Sequence, residues 1–294
     1  MKTPIKSKTT IVPILVLFAL GGIGISPMGA PMLAAPPPAL RTIDVPGALG
    51  TDVWDINARG EVVGAYFDAV ATHAFLLSGN TFTTVDPPGA VFARALGINA
   101  QGDIVGDVVD GTGSHGYLLQ NGTFTNIDVL GAVETFAVGI NSQGDVVGGF
   151  DDGITVHGFL LHQGSFSSID VPGASSTDAR SINAQGDIVG EYSAGGMFHG
   201  FLLHNGTFTT IDAPGASGLG TALNGIGPQG DLLGGYQDSG GTFHGFLLGK
   251  SGFTTIDVPG ALGTSPLGIS PSGVIAGSYM DAGGNDHGFV MNVQ

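Results

Sequence analysis

Gly97-Ile98-Asn99-Ala100-Gln101-Gly102-Asp103-Ile104-Val105-Gly106 is one copy of a phrase that returns along the chain. It recurs around Asn57, Asn141 and Asn183, and in weaker form around Gly227 and Ser270. Two further phrases keep step with it. His-Gly-Phe-Leu-Leu, or a close variant, begins at His73, His115, His157, His199, His244 and His287. Ile/Val-Asp-x-Pro-Gly-Ala places its acid at Asp44, Asp86, Asp128, Asp170, Asp212 and Asp257, with Leu130 in place of Pro in the third copy. The acids are 42 residues apart four times and then 45. A fixed period of about 20 to 50 residues marks a repeat architecture, because one such unit cannot bury its apolar face alone.

Each unit reads as four short β segments. In the second unit they run over residues 93–98, 103–108, 115–119 and 123–129. Asn99-Ala100-Gln101-Gly102 joins the first two, with a glycine where positive φ is cheap. Asn121-Gly122 joins the last two and is a strong hairpin signal, repeated at Asn205-Gly206. Helix is disfavoured, since Gly and β-branched residues recur every few positions and no window holds an apolar 3.6 period. Ile104-Val105 and Phe75-Leu76-Leu77 are apolar in succession, as in strands covered on both faces.

Four strands in about 42 residues describe a propeller blade, and a β-solenoid of six repeats is the alternative. The boundaries of the units favour the propeller. The strand at His287 has no fourth strand after it, whereas Arg41-Thr42-Ile43-Asp44-Val45-Pro46 is a fourth strand with no blade before it. Residues 41–47 are expected to complete the last blade. The expected fold is all-β, a six-bladed β-propeller of four-stranded blades closed by the N-terminal strand. A solenoid would need polar caps, and none is evident.

The three phrases together resemble the extracellular HAF repeats, a family named for the tripeptide present here as His73-Ala74-Phe75. The resemblance covers about 250 residues of the chain. It implies bacterial export and a repeat-built β fold, and it carries no catalytic residues to transfer.

Composition agrees with a folded repeat. The 294 residues include 53 Gly, 16 Pro, 17 Phe and no Cys, and 42% are hydrophobic. Glycine is more than double the usual roughly 7%, yet it does not fall at every third position, which excludes collagen. The many apolar and aromatic residues exclude disorder. Without cysteine there is no disulfide, thiolate metal site, cysteine nucleophile or cysteine-linked lipid. Residues 1–35 read as a signal peptide: Lys2, Lys6 and Lys8, an apolar stretch from Ile11 to Ile25, and small residues before Pro36. Met28-Gly29-Ala30 and Leu33-Ala34-Ala35 compete as its cleavage site. The apolar stretch is short for a membrane span, which takes about 20 residues. Residues 36–40 form a Pro-rich linker, and 41–294 a single repeat domain. Beyond the signal segment, 24 acids face only Arg41, Arg59, Arg94, Arg180 and Lys250. Such a surface repels phosphate backbones, so neither nucleic acid nor membrane is an expected partner. A secreted or periplasmic monomer is expected.

The six repeated His tempt a metal reading, but one per blade puts them on a wide ring, far from converging at the roughly 2.0–2.1 Å of a shared ion. A structural bond to a neighbouring turn or carboxylate is preferred, and the six acids of the Asp-x-Pro-Gly phrase are read the same way. His162 and His204 are expected as exposed hairpin residues. Asp68, Asp110, Asp152, Asp238 and Asp281 precede the His in five units, with Ala194 in the fourth, and are candidate Ca²⁺ ligands against a simpler reading as turn formers. No other cofactor is implied. Tyr66, Tyr192, Tyr236 and Tyr279 share one repeat position with Val108 and Phe150, which reads as apolar filling.

One active site needs residues that break the symmetry. The breaks are Trp54, the single tryptophan; Arg94 and Arg180; Glu134; and an expansion over residues 218–224. Trp54 with Asp52 and Asp55 is a possible ligand patch, or else Trp54 fills a blade interface. No nucleophile elbow, zinc-protease motif or phosphate loop is present, so no catalytic residue is nominated. A non-enzymatic binding or scaffold module for protein or glycan is expected, with an extracellular hydrolase or lyase, its site built from loops and Ca²⁺-assisted, as the alternative.

Overall fold

A computed structural model describes residues 40–292; the signal segment and nearly all of the linker lie outside the described residues. The described chain is strand, turn and loop throughout, with no helix. It begins with β1 (Leu40–Ile43). Blade 1 holds β2 (Gly50–Ile56), β3 (Val62–Phe67), β4 (Thr72–Ser78) and β5 (Thr81–Thr84). Blade 2 holds β6 (Phe92–Ile98), β7 (Ile104–Val109), β8 (Ser114–Gln120) and β9 (Thr123–Ile127). Blade 3 holds β10 (Glu134–Ile140), β11 (Val146–Asp151), β12 (Val156–His162) and β13 (Ser165–Ile169). Blade 4 holds β14 (Ser176–Ile182), β15 (Ile188–Ala194), β16 (Met197–His204) and β17 (Thr207–Ile211). Blade 5 holds β18 (Thr221–Ile226), β19 (Leu232–Gln237), β20 (Phe243–Gly249) and β21 (Gly252–Ile256). Blade 6 holds β22 (Gly263–Ile269), β23 (Val274–Met280) and β24 (Asp286–Asn292).

Within each blade the strands pair antiparallel in chain order. β1 completes blade 6 by pairing with β24, Ile43 opposite Gly288 and Leu40 opposite Met291. The first strand of each blade packs against that of the next, and β22 against β2, so the six innermost strands close a ring. The fold is therefore the six-bladed β-propeller expected, and the closure uses the expected strand.

The core is divided into six clusters, one at each blade interface. Val63 and Ala74 of blade 1 meet Ala93, Ile104 and Tyr117 of blade 2. The sixth interface is built alike: Ile43 and Ala276 of blade 6 pack on Val53, Val62 and Phe75 of blade 1. Apolar residues in succession serve this arrangement, because neighbouring residues on one strand point to opposite faces and each face meets another blade. The Gly of the Ile-Val-Gly phrase has a separate cause. At Gly148 an added Cβ would be driven into the carbonyl oxygen of Phe136 on β10 and come within 2.9 Å of the Phe159 ring on β12. Gly64, Gly106, Gly190, Gly234 and Gly277 have the same surroundings in their own blades.

A buried Asn ladder ties successive blades. Asn57, Asn99 and Asn141 each donate from Nδ2 to the backbone oxygen of the Asn one repeat on, at 3.1–3.3 Å. Their Oδ1 atoms accept the N–H groups two and four residues ahead, which shapes the turn. Gly227 and Ser270 replace Asn in the last two units, so the ladder ends at Asn183.

Candidate functional site: the central channel

Every innermost strand carries one β-bulge. The register shifts between Val53 and Asp55, Ala95 and Gly97, Ala137 and Gly139, Ala179 and Ser181, Leu223 and Gly225, and Pro266 and Gly268. A bulge leaves one residue outside the ladder and re-aims its side chain. The six bulged residues, Trp54, Leu96, Val138, Arg180, Asn224 and Leu267, all line one cavity along the propeller axis. Its volume is about 880 Å³, within the range of small-molecule sites. Six near-identical backbones thus present an indole, a guanidinium, an amide and three aliphatic groups to a common space.

Two arginines in the wall are held by acids. Arg94 on β6 makes a two-pronged pair with Asp107 on β7, at 3.0 and 2.6 Å. Its guanidinium carbon lies 5.4 Å from the Trp54 ring centre and 5.3 Å from that of Phe92, inside cation–π range. Arg180 on β14 meets Glu191 on β15 at 2.6 Å and donates to Asn224 Oδ1 at 3.0 Å. Phe136 and Phe198 add further aromatic surface.

Of the remaining carboxyls, Asp178 has one long ion pair, Oδ2 to Arg180 Nε at 3.6 Å, and Asp55 and Glu134 form none among the described residues. Asp55 accepts the backbone N–H groups of Ile56 and, across the blade boundary, Ile98; burial outweighs both bonds and pushes its pKa up to about 7. Asp178 is pushed up to about 6 by burial, with Glu191 adding to the rise and Arg180 opposing it. Burial and the nearby charges of Asp151 and Asp107 raise Glu134. Glu134 and Asp151 are cross-strand partners on β10 and β11, and neither forms an ion pair among the described residues. Three polar atoms of the wall are buried without a protein hydrogen-bond partner: Trp54 Nε1, Arg180 Nε and Asp178 Oδ1. Burying such a group unpaired is costly, which makes these atoms informative.

The repeated His and Asp lie elsewhere, at the outer part of the blades. His73 Nδ1 meets Asp86 at 2.7 Å, and the same bond recurs as His115–Asp128, His157–Asp170, His199–Asp212 and His244–Asp257. In blade 6 the bond joins the two ends of the chain, His287 to Asp44 at 2.9 Å. On the other ring nitrogen sit Asp68, Asp110, Asp152, Asp238 and Asp281, at 3.4–3.8 Å. These five candidate Ca²⁺ ligands are one to a blade, and each already accepts backbone N–H groups of its own turn. Among the described residues no group of three His, Cys, Asp or Glu is placed to hold a metal.

The ring position read as apolar filling does something more specific. Tyr66, Phe150, Tyr192, Tyr236 and Tyr279 each stack on the repeat His of their blade, with centroids 5.0–5.3 Å apart. His162 and His204 are exposed and pair with Asp145 and Asp187 at 2.6 Å.

Of the residues singled out for breaking symmetry, Trp54, Arg94, Glu134, Arg180 and Asn224 all line the channel, as does Asp55. Asp52 does not; its carboxyl bonds Ser278 and, buried near Asp286, is pushed up to about 6. The rest of residues 218–224 is spent outside the channel, on a turn around Gly218 that bonds Gln237. Sequence reading missed Phe92, Asp107, Phe136, Asp178 and Glu191. Their signal was available, because they also break the pattern of the first and second strands, but only the bulge register shows which positions reach the axis.

No family model matches the chain, and no curated protein matches it. Solved structures do. TolB from Acinetobacter baumannii is 15% identical with a TM-score of 0.59, the match covering 80% of this chain and 64% of TolB. An Aleuria aurantia lectin mutant in complex with Fucalpha1-6GlcNAc is 12% identical with a TM-score of 0.53, over 83% of this chain and 93% of the lectin. Virginiamycin B lyase from Staphylococcus aureus is 12% identical with a TM-score of 0.51, over 87% of this chain and the whole of the lyase. At these identities the likeness is one of fold, and the chain is a six-bladed β-propeller.

Proposed function

We propose that this chain is an exported bacterial protein of the HAF-repeat type, a monomeric, non-enzymatic binding module for protein or glycan that takes its ligand in the central channel. One observation carries the reading. The chemically distinctive departures from the repeat converge on a single axial cavity, while the outer His–Asp bonds repeat from blade to blade. Specific recognition needs one asymmetric set of groups, and this cavity is where the chain has one. Its mix of apolar wall and a few polar groups suits a binding site. Glycan and peptide arrays probed with the wild type and with Val138→Trp, which fills the channel, test the reading. Binding should be lost in the variant while its melting temperature is kept; equal binding by both proteins refutes it.

A second reading rests on Asp55 and Asp178, whose raised pKa values in a cleft are a feature of acid–base sites. It makes the protein a hydrolase or lyase acting on the same ligand. A turnover screen separates the two: activity abolished by Asp55→Asn supports the enzyme, and binding without turnover supports the module.

A further inference from the structure

We propose that the channel ligand is a neutral polyhydroxylated molecule, a saccharide, held between Trp54 on one wall and Arg180 with Asp178 on the opposite wall. The proposal rests on the channel being the binding site and adds the chemistry of what enters it. Trp54 belongs to blade 1 and Arg180 and Asp178 to blade 4, which face each other across a ring of six.

The three orphaned atoms specify what would satisfy them. Trp54 Nε1 carries a hydrogen that needs an acceptor and Asp178 Oδ1 needs a donor, while Arg180 Nε has only Asp178 Oδ2 beside it, at 3.6 Å and beyond hydrogen-bond reach. A cation would satisfy Asp178 alone and leave both donors unmet beside two arginines. An anion would meet the donors but face Asp55 and Glu134, which form no ion pair among the described residues, and Asp178, whose ion pair is the 3.6 Å contact with Arg180. A hydroxyl group both donates and accepts, so one polyol can answer all three. A Cβ at Gly149 would come within 2.9 Å of Asp178 Oδ1, so only glycine there leaves that oxygen without a side chain against it. The apolar faces of a sugar ring match an indole, and the Trp54 indole is steadied by Arg94, itself pinned by Asp107.

Trp54 is the only tryptophan in the chain, so its emission reports on this wall alone. Hits from an array of neutral oligosaccharides are titrated against the purified protein, with 1,5-diaminopentane and inorganic phosphate as the cationic and anionic probes. A saccharide should shift Trp54 emission saturably, and neither ion should. By calorimetry, Trp54→Phe, which keeps a ring but loses the N–H, should weaken that saccharide about fivefold, as loss of one hydrogen bond does. Asp178→Asn, followed through Trp54, should weaken it to a similar degree and serves if Trp54→Phe does not fold. If an ion shifts Trp54 emission and no saccharide does, the polyol assignment falls while channel binding stands. If a saccharide binds without moving Trp54 emission and with unchanged affinity in both variants, both fall; if no probe moves Trp54 at all, the polyol assignment falls.

Discussion

Gly148→Ala and Gly144→Ala lie four residues apart in one repeat and should fail for different reasons. Gly144 has φ +85° and nothing within 4 Å of an added Cβ, so alanine there costs only the left-handed backbone, about 1–2 kcal/mol. Gly148 has no such backbone requirement, but its Cβ would enter the Phe136 carbonyl and the face of Phe159. Neither neighbour can retreat cheaply. Phe136 lies on β10, in the ladder with β11; Phe159 is fully buried and set edge-on to Phe166, 5.5 Å away. Overpacking costs about 1–3 kcal/mol, and parting a ladder step about 1 kcal/mol more, so the sum is about 3 kcal/mol. At about 2–4 °C per kcal/mol for a domain of this size, Gly148→Ala should melt about 6–12 °C below wild type. Calorimetric melts of both alanine variants, with Gly144→Asn and Gly148→Asn beside them, separate the causes. Asparagine tolerates the left-handed region, so it should rescue position 144 and not 148. A Gly148→Ala protein melting within 2 °C of wild type refutes the steric account.

Ile43→Ala should destabilise by about 2–4 kcal/mol, as should Ile127→Ala at the same register of blade 2, since both are buried in an interface cluster; a negligible shift in denaturant midpoint for Ile43→Ala argues against closure by β1. Removing residues 41–45 should cost more than removing a surface loop of equal length. Asn99→Ala should cost about 2–4 kcal/mol, because the buried Asn99 side chain serves Gln101, Asp103 and Asn141, whereas Asn99→Ser should cost less, since Ser270 Oγ fills the corresponding turn by accepting from Val274; equal losses refute the distinction. Stability should fall as pH rises from about 5 to 8. The folded-state pKa values of His73, His157, His244 and His287 are raised above 6.5, by their hydrogen bonds and charges from Asp partners against an opposing burial effect, so their contribution is full below the unfolded value and lost as pH climbs through the folded one. Asp52, Asp55 and Asp178, raised from 3.8 to about 6–7, act in the same direction, and their Asn variants should flatten the slope between pH 4 and 7; a melting temperature that climbs over this range contradicts both. Ca²⁺ or chelator should leave the melting temperature unchanged, because the five loop carboxylates are already taken up by their own turns and by His; a Ca²⁺-dependent rise would restore them as ligands.

The fold was largely legible because its determinants are local and copied. Asn99 to Gly102 and Asn121-Gly122 specify turns by their own backbone preferences, and successive strands then pair with their neighbours. Closure was legible too, since a lone fourth strand at residues 41–46 and an incomplete last unit complement each other. The partners of the repeated His were harder to assign, because the Asp lies 13 residues on, across a hairpin whose register decides whether the two side chains share a face. The stacking of Tyr66 on His73 was hidden for the same reason: the pair are opposite residues on β3 and β4, and composition alone reads such a ring as filling.

From its residues alone the chain commits to six copies of a four-stranded unit, to a ring in preference to a stack, and to an acidic, cysteine-free exterior, because periodicity, turn chemistry and charge do not depend on distant contacts. Which residues meet at the axis is another matter. A single bulge in each inner strand turns Trp54, Leu96, Val138, Arg180, Asn224 and Leu267 inward and shifts every position after it. Only ring closure then sets Trp54 across from Arg180 and leaves Trp54 Nε1 and Arg180 Nε without a hydrogen-bond partner. A bulge is decided by how strands and blades pack, so the candidate site became visible with the tertiary structure.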